Sequence, residues 1–340
     1  MKALVYEGTN RVMFQEVPMI RPREGWTLIQ VAYAGICGSD VTILKGKHPR
    51  AKAPLIMGHE FSGTIASDHP RYPRGTLVTA FPYLPCGICE RCRNGQFHVC
   101  ESLKLIGIDL DGGMAEYVQV PDEMICPVPE GIDPQTAAFI EPIGISVHAA
   151  RKGGYRPGDS VLVFGAGGIG LSVAITLRSF GAEKLMMCEP NPLRRAMAED
   201  LGFEVLDPES DIIKQVYDRT DGMGADYVYD CAGVQPVAEL LPDAVKINGR
   251  IVVVAGYKTP PVMNFQKGMF REFEIRFVRN CTRQDFTIAT GLAGRRLGYE
   301  KLLNYTLPLS QGEKGFAPPP SACKVMFCVK ENIPHTRQLI

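Results

Sequence analysis

A thiol, an imidazole and a carboxylate stand early in the chain in types that could do metal chemistry. Cys37 lies in Gly35-Ile-Cys-Gly-Ser-Asp40, and His59 with Glu60 in Met57-Gly-His-Glu-Phe61. Singly, each is ordinary. An isolated cysteine is usually a small core residue, and an isolated histidine is more often a hydrogen-bonded structural group. Together they form the N/S/O donor set of an open zinc site, one that keeps a position for a reacting oxygen. Glu141, inside the apolar run Phe139-Ile-Glu-Pro-Ile143, is a further candidate ligand, because an unpaired carboxylate is costly to bury.

A second group has a different character. Cys86, Cys89, Cys92 and Cys100 follow a C-x2-C-x2-C-x7-C spacing. Three closely spaced thiolates, with a fourth returned by a loop, can surround Zn²⁺ tetrahedrally and leave no open position, so this site would be structural. Disulfides and an iron–sulfur cluster are the competing readings. No proline follows the last cysteine and no second cluster is present, which favours zinc over the ferredoxin-like run. Arg91 and Arg93 offset part of the thiolate charge, and His98 is a bystander on this reading.

The third constellation is a glycine turn. Val161-Leu-Val-Phe-Gly-Ala-Gly-Gly-Ile-Gly170 reads as a strand followed by G-x-G-G-x-G. Gly165 permits the tight turn, Gly167 lets the backbone approach a pyrophosphate, and Gly170 permits close helix–strand packing, with Gly168 and Ile169 between them. The helix that starts there presents N-terminal amides to the phosphates. An acidic residue about 20 positions on is expected to meet the ribose hydroxyls, and Glu189 occupies that place. A carboxylate there favours NAD over NADP. Arg194 and Arg195 nearby weaken that preference, with Arg194 the nearer candidate for cofactor contact.

These groups need two kinds of scaffold. The first 145 or so residues carry short alternating runs broken by Gly and Pro, such as Thr27–Ala34 and Glu60–Ala66, which is the signature of a β-rich domain. From Ser160 the pattern changes to apolar strands alternating with helical stretches: Val161–Phe164, Lys184–Cys188, Ala225–Asp230 and Arg250–Ala255 are the strands. That alternation implies a parallel sheet with helices on both faces. After about Asn280 it fades. The expected division is a catalytic domain over residues 1–150 carrying the zinc lobe at 86–100, an NAD-binding Rossmann domain over 151–280, and a last segment, 281–340.

The chain has 340 residues, with 37 Lys+Arg against 37 Asp+Glu, so nothing attracts a polyanion in bulk and nucleic acid is a poor partner. No signal-peptide pattern or apolar run long enough for a membrane span is visible. Eleven cysteines, four of them clustered, suit a reducing compartment. A cytoplasmic protein with neither nucleic-acid nor membrane partners is expected.

GICGSD, GHEF, the four-cysteine lobe, AAFIEPIG and VLVFGAGGIG follow one another at family-like spacing. The chain thereby resembles the zinc-containing medium-chain dehydrogenases, in particular the branch of polyol (sorbitol-type), threonine, butanediol and sugar-acid dehydrogenases. The resemblance implies an α/β fold, with a Rossmann-type doubly wound parallel sheet and a GroES-like β-rich catalytic domain built from both ends of the chain. It implies that Cys37 and His59 are catalytic zinc ligands, with Glu60 a ligand or a close carboxylate, and that Glu141 takes the place of a second cysteine ligand. It implies two zinc ions per chain, a small alcohol or polyol substrate, and a homodimer or homotetramer. Two departures stand out. Relatives often carry His- or Thr-type relay groups shortly after the zinc cysteine; this chain has Thr42 there and no histidine, so the proton path would run through Ser39 and the cofactor ribose, with Thr42 or His48 completing it. Gly168 replaces a common proline. Lys45, His48, Phe270 and Arg271 are further candidates for the substrate pocket. Threonine oxidation is the alternative activity. A zinc-free reductase and a non-catalytic zinc-binding protein are the remote ones.

Overall fold

The computed structural model describes residues 1–330, and residues 331–340, which end the third expected segment, lie outside the described residues. The chain divides into two units, one of Met1–Glu141 together with the residues from Leu303 on, and one of Pro142–Leu302. The expected joints at 150 and 280 therefore both fall within the second unit. The reason is local. The helix Ile140–Gly153 continues unbroken past residue 150, and the helix Arg283–Ala293 is tied to it by a buried ionic cluster.

The first unit is built on antiparallel sheet. Its central strand, Trp26–Gly35, pairs with Glu60–Ile65, with Tyr117–Pro121, and with Val325–Cys328 from the far end of the chain. The register sets Gly35 opposite both Glu60 and Met326. Three strand ends converge there, so Cys37 just past one strand, Glu60 at the start of the next, and Lys324 just before the third share a neighbourhood. A β-carbon on Gly35 would collide with the Glu60 carboxylate and press on Lys324 and Met326. The bare backbone of Gly35 lets these strands close over the charged side chains without displacing them.

The second unit is a six-stranded parallel sheet in the order Glu204–Leu206, Leu185–Cys188, Val161–Phe164, Ala225–Asp230, Val245–Val253, Glu274–Phe277. Val161–Phe164 and Leu185–Cys188 are buried throughout. They read as unbroken apolar runs because helices cover both faces of such a sheet. Sequence order reverses beside Val161–Phe164, the switch point at which open α/β sheets bind ligands beyond their strand ends. Among the described residues no helix is long and apolar enough to cross a membrane.

Asp285 joins two helices of this unit. Fully buried, it accepts from the Thr282 hydroxyl (2.6 Å) and the Thr282 amide (2.9 Å) in a capping box. It also meets His148 Nδ1 (2.7 Å) and the Arg151 guanidinium. Burial alone would raise its pKa, but the bonds from His148, Thr282 and Arg151 prevail and hold it well below the usual aspartate range. A depressed carboxylate stabilises the fold above the unfolded-state value of about 4 and loses that contribution as pH falls below it. Asp285→Ala is expected to lower stability by about 3 kcal/mol or more at neutral pH. Thermal unfolding followed between pH 7 and pH 3 should show the gap from the parent protein narrowing as acid is added.

Candidate active site and metal centres

Cys37 is the N-cap of the helix Gly38–Leu44. Asp40, at the third helical position, turns back to accept from the Cys37 amide (2.7 Å). This capping box fixes the thiol at the helix entrance. His59 and Glu60 come from the start of the neighbouring strand and are 5% and 1% exposed. One donor atom from each of Cys37, His59 and Glu60 lies within 4.8 Å of the others. Glu141 opens the helix Ile140–Gly153 and is buried. It acts electrostatically on His59 and Glu60 but lies outside that closest set, with Oε1 taken by the Tyr83 hydroxyl.

The electrostatics of this pocket are unusual. Asp40, Glu60 and Glu141 are all buried, beside the Cys37 thiol. The cations facing them are His59 and Lys324. Lys324 Nζ pairs with Glu60 Oε2 and donates to the Ile36 carbonyl (2.8 Å). Burial pulls the His59 pKa down, but Cys37, Asp40 and Glu141 overcome it and raise it well above the ordinary value. Burial likewise pushes Asp40 up to about 6, with His59 acting against it. Ser39 Oγ and His59 Nδ1 are buried with no hydrogen-bond partner. A surplus of acidic donors around orphaned polar atoms, with S, N and O ligand types at one point, fits a divalent cation of zinc's preferences.

The four-cysteine lobe fits zinc in a closed form. Cys86, Cys89, Cys92 and Cys100 are not joined in disulfides. Cys86 and Cys92 sulfurs are 4.0 Å apart, and those of Cys89 and Cys100 3.9 Å. A tetrahedron of Zn–S bonds near 2.3 Å has edges of about 3.8 Å, whereas a disulfide needs about 2.05 Å. Backbone amides at Glu101 and Cys92 draw the Cys89 thiol down to about 6, and those at Ile88 and Cys89 lower Cys86. Arg93 holds the loop by donating to the Ile88 carbonyl (2.8 Å). His98 is not among the four clustered donors.

The glycine turn follows its strand as expected. Gly165 has φ +95°, Gly167 is the N-cap, and the helix runs Gly168–Ser179 with Ile169 in its first turn. A β-carbon on Gly170 would collide with the Gly165 carbonyl, so this turn cannot exist with any larger residue. Glu189 is buried, accepting from the Ala166 amide (2.8 Å) and from the Asn191 amide (2.9 Å). It thus braces the turn. An ionised carboxylate offers about four acceptor positions, so the two amides do not exhaust it. Arg194 is half-buried, its Nε without a partner and its Nη1 4.0 Å from where a Gly167 β-carbon would be.

The proposed relay is only partly assembled. Ser39 sits in the first turn after Cys37. Thr42 donates to the Gly38 carbonyl (3.0 Å), which commits its proton within the helix. His48 Nδ1 accepts from the Arg50 and Ala51 amides (3.3 and 3.2 Å), which places the proton of the neutral ring on Nε2. Burial and then Arg50 lower its pKa. Lys45 is exposed. Arg271 bonds to the Tyr217 hydroxyl (3.0 Å) and the Val245 carbonyl (2.5 Å), and Phe270 is 72% exposed. Arg271 thus has one nitrogen, Nη2, bonded within the nucleotide-binding unit, while its Nε has no partner.

Three residues of the pocket escape the motif reading. Asp40 was detectable, since it stands three residues after Cys37 in capping-box spacing. Lys324, the charged residue that opens the apolar run KVMFCV, gives a faint signal. Tyr83 gives none.

Residues 23–130 match the family described as Alcohol dehydrogenase GroES-like domain, and residues 168–293 that described as Zinc-binding dehydrogenase. The chain is 31% identical to the 2-dehydro-3-deoxy-L-galactonate 5-dehydrogenase of Pseudoalteromonas atlantica, over 93% of this chain and 94% of that protein. It is 32% identical to the sorbitol dehydrogenase of Halalkalibacterium halodurans, over 93% and 95%. A zinc-binding dehydrogenase of Sinorhizobium meliloti 1021, solved bound to NADP, superposes with a TM-score of 0.90 at 26% identity, covering 96% of this chain and 99% of that one. With its GroES-like and Rossmann-type parts and its clustered metal donors, this chain belongs to the zinc-type medium-chain alcohol dehydrogenases, a family of oxidoreductases.

Proposed function

We propose that the enzyme oxidises a secondary hydroxyl of a polyol, diol or sugar acid with NAD⁺: R–CHOH–R′ + NAD⁺ → R–CO–R′ + NADH + H⁺. The observation that carries this reading is the joint presence of the Cys37–His59–Glu60 donor group and the Glu189-braced glycine turn. The sorbitol and sugar-acid dehydrogenase relatives support the substrate class.

Cys37 and His59, with Glu60 or Glu141, would hold a zinc ion. When bound, that ion supplies Lewis acidity, which makes a hydroxyl easier to deprotonate. Cys86, Cys89, Cys92 and Cys100 would hold a second, structural zinc. Ser39, its hydroxyl buried and unpartnered beside Cys37, is placed to accept the hydroxyl proton, whereas neutral His48, with Nδ1 accepting two amides, carries its own proton on Nε2 and cannot receive another there. Gly165, Gly167 and the amides of Gly168, Ile169 and Gly170 bind the cofactor's pyrophosphate. Glu189 orients the adenosine ribose and disfavours a 2′-phosphate. Arg194 beside Gly167 acts in the opposite sense. Large exposed apolar side chains concentrate from Val262 to Phe277, around the edge strand of the nucleotide-binding unit. They support a homodimer or homotetramer, and light scattering that returned only the monomer mass would reject it.

Purified protein should form NADH with at least one polyol, diol or sugar acid, at a higher kcat/KM with NAD⁺ than with NADP⁺, and lose turnover to a chelator. Threonine as the best substrate would transfer the assignment to the alternative. Turnover indifferent to chelation would reject the zinc chemistry. Elemental analysis should find two zinc ions per chain. Cys89→Ser should remove the structural ion and lower the unfolding temperature, while His59→Ala should remove the other with a smaller thermal effect. A parent protein holding a single ion would contradict the two-site reading.

A further inference from the structure

Tyr83 is one of the largest fully buried side chains in the protein, at 1% exposure. Its hydroxyl bonds to Glu141 Oε1, a carboxylate whose burial raises its pKa. The backbone around it is fixed on several sides. The two-residue strand Tyr83–Leu84 pairs antiparallel with Lys104–Leu105. These strands are the stem from which the four-cysteine lobe, Cys86 to Cys100, projects. Ile106 donates to the Pro82 carbonyl (3.1 Å) and Phe81 to the Met124 carbonyl (2.9 Å). The Phe81 ring meets the Tyr83 ring edge to face at 4.9 Å.

We infer that Tyr83 is a positioning residue for the catalytic metal: held rigid by the stem of the cysteine lobe, it fixes the Glu141 carboxylate by one oxygen, so that Glu141 serves as a monodentate donor in a set orientation. The inference rests on the reading of Glu141 as a ligand. Its physical basis is general. Carboxylate ligands are oriented by a second hydrogen bond, and loss of such a partner typically weakens metal affinity 10–100-fold. A phenol suits the task here because its donor sits at the end of a stiff ring with few rotamers, anchored in apolar packing. It can donate to the buried carboxylate without adding another charge to a pocket that already holds three buried carboxyl groups.

The test uses the full-length protein with zinc retained in the cysteine lobe and cobalt(II) titrated into the catalytic site. Visible absorption reports the ligand set, and a competing chelator gives the affinity. Tyr83→Phe keeps the ring and its packing on Phe81. It should weaken cobalt binding by about 10–100-fold and shift the d–d bands, with lobe zinc unchanged. Tyr83→Gln, which keeps a donor, should recover part of the loss. Glu141→Gln should weaken binding further, and the Tyr83→Phe/Glu141→Gln double variant should be no weaker than Glu141→Gln alone. Unchanged affinity and spectrum in Tyr83→Phe, with Glu141→Gln impaired, would overturn the role of Tyr83 and leave Glu141 a ligand. Unchanged affinity in Glu141→Gln would overturn the inference through its premise instead. Additive losses in the double variant would show that Tyr83 acts elsewhere, and would also overturn it.

Discussion

Burial of acidic groups without water is the constraint around which the first unit is arranged. Asp40, Glu60 and Glu141 are out of solvent beside the Cys37 thiol, and each would be costly to ionise alone. The structure answers with His59, with Lys324 on Glu60, with the Cys37 amide on Asp40 and with the Tyr83 hydroxyl on Glu141. Two of these partners are local, the Cys37 amide three residues from Asp40 and His59 next to Glu60; Lys324 and Tyr83 are brought in from distant strands, so the sheet register is also part of the charge arrangement. A shift of one residue between Trp26–Gly35 and Glu60–Ile65 would turn Glu60 to the other face and leave Lys324 unpaired.

The nucleotide-binding unit solves a different problem with the opposite economy of parts. Its turn needs bare backbone, so glycine supplies space rather than chemistry, and one carboxylate does the rest. Glu189 is held by two amides of the loops it must organise. That makes the carboxylate proposed to meet the ribose rigid before any cofactor arrives, which reduces the ordering cost of binding.

Much of this could be read from the residues. The alternation of apolar strands and helices gave the parallel sheet, because strands covered on both faces must be apolar at every position. Val161–Phe164 and Ala225–Asp230 were delimited to the residue. The four-cysteine spacing is local enough to specify its own geometry. What sequence could not supply is long-range. Lys324 reaches Glu60 from the far end of the chain, and Tyr83 meets Glu141 from a two-residue strand with no pattern of its own. The extent of the second unit was similarly hidden, because the Asp285 cluster that ties the helix Arg283–Ala293 to the helix Ile140–Gly153 joins residues about 135 positions apart.

The pairing of Gly35 with Met326 spans about 290 residues of chain. During synthesis at about 5–20 residues per second, the strand Trp26–Gly35 waits on the order of 15 to 60 seconds for Val325–Cys328 to exist. Throughout that interval Glu60 has no Lys324, and the edge on which Val325–Cys328 will lie is open. The second unit, encoded entirely within the interval, has all its strands before the first has its last one. The unit that contains Trp26–Gly35 is thus completed after the unit encoded inside it, and a nascent chain must shelter an unpaired strand, and a Glu60 without its lysine, until Lys324–Cys328 emerge.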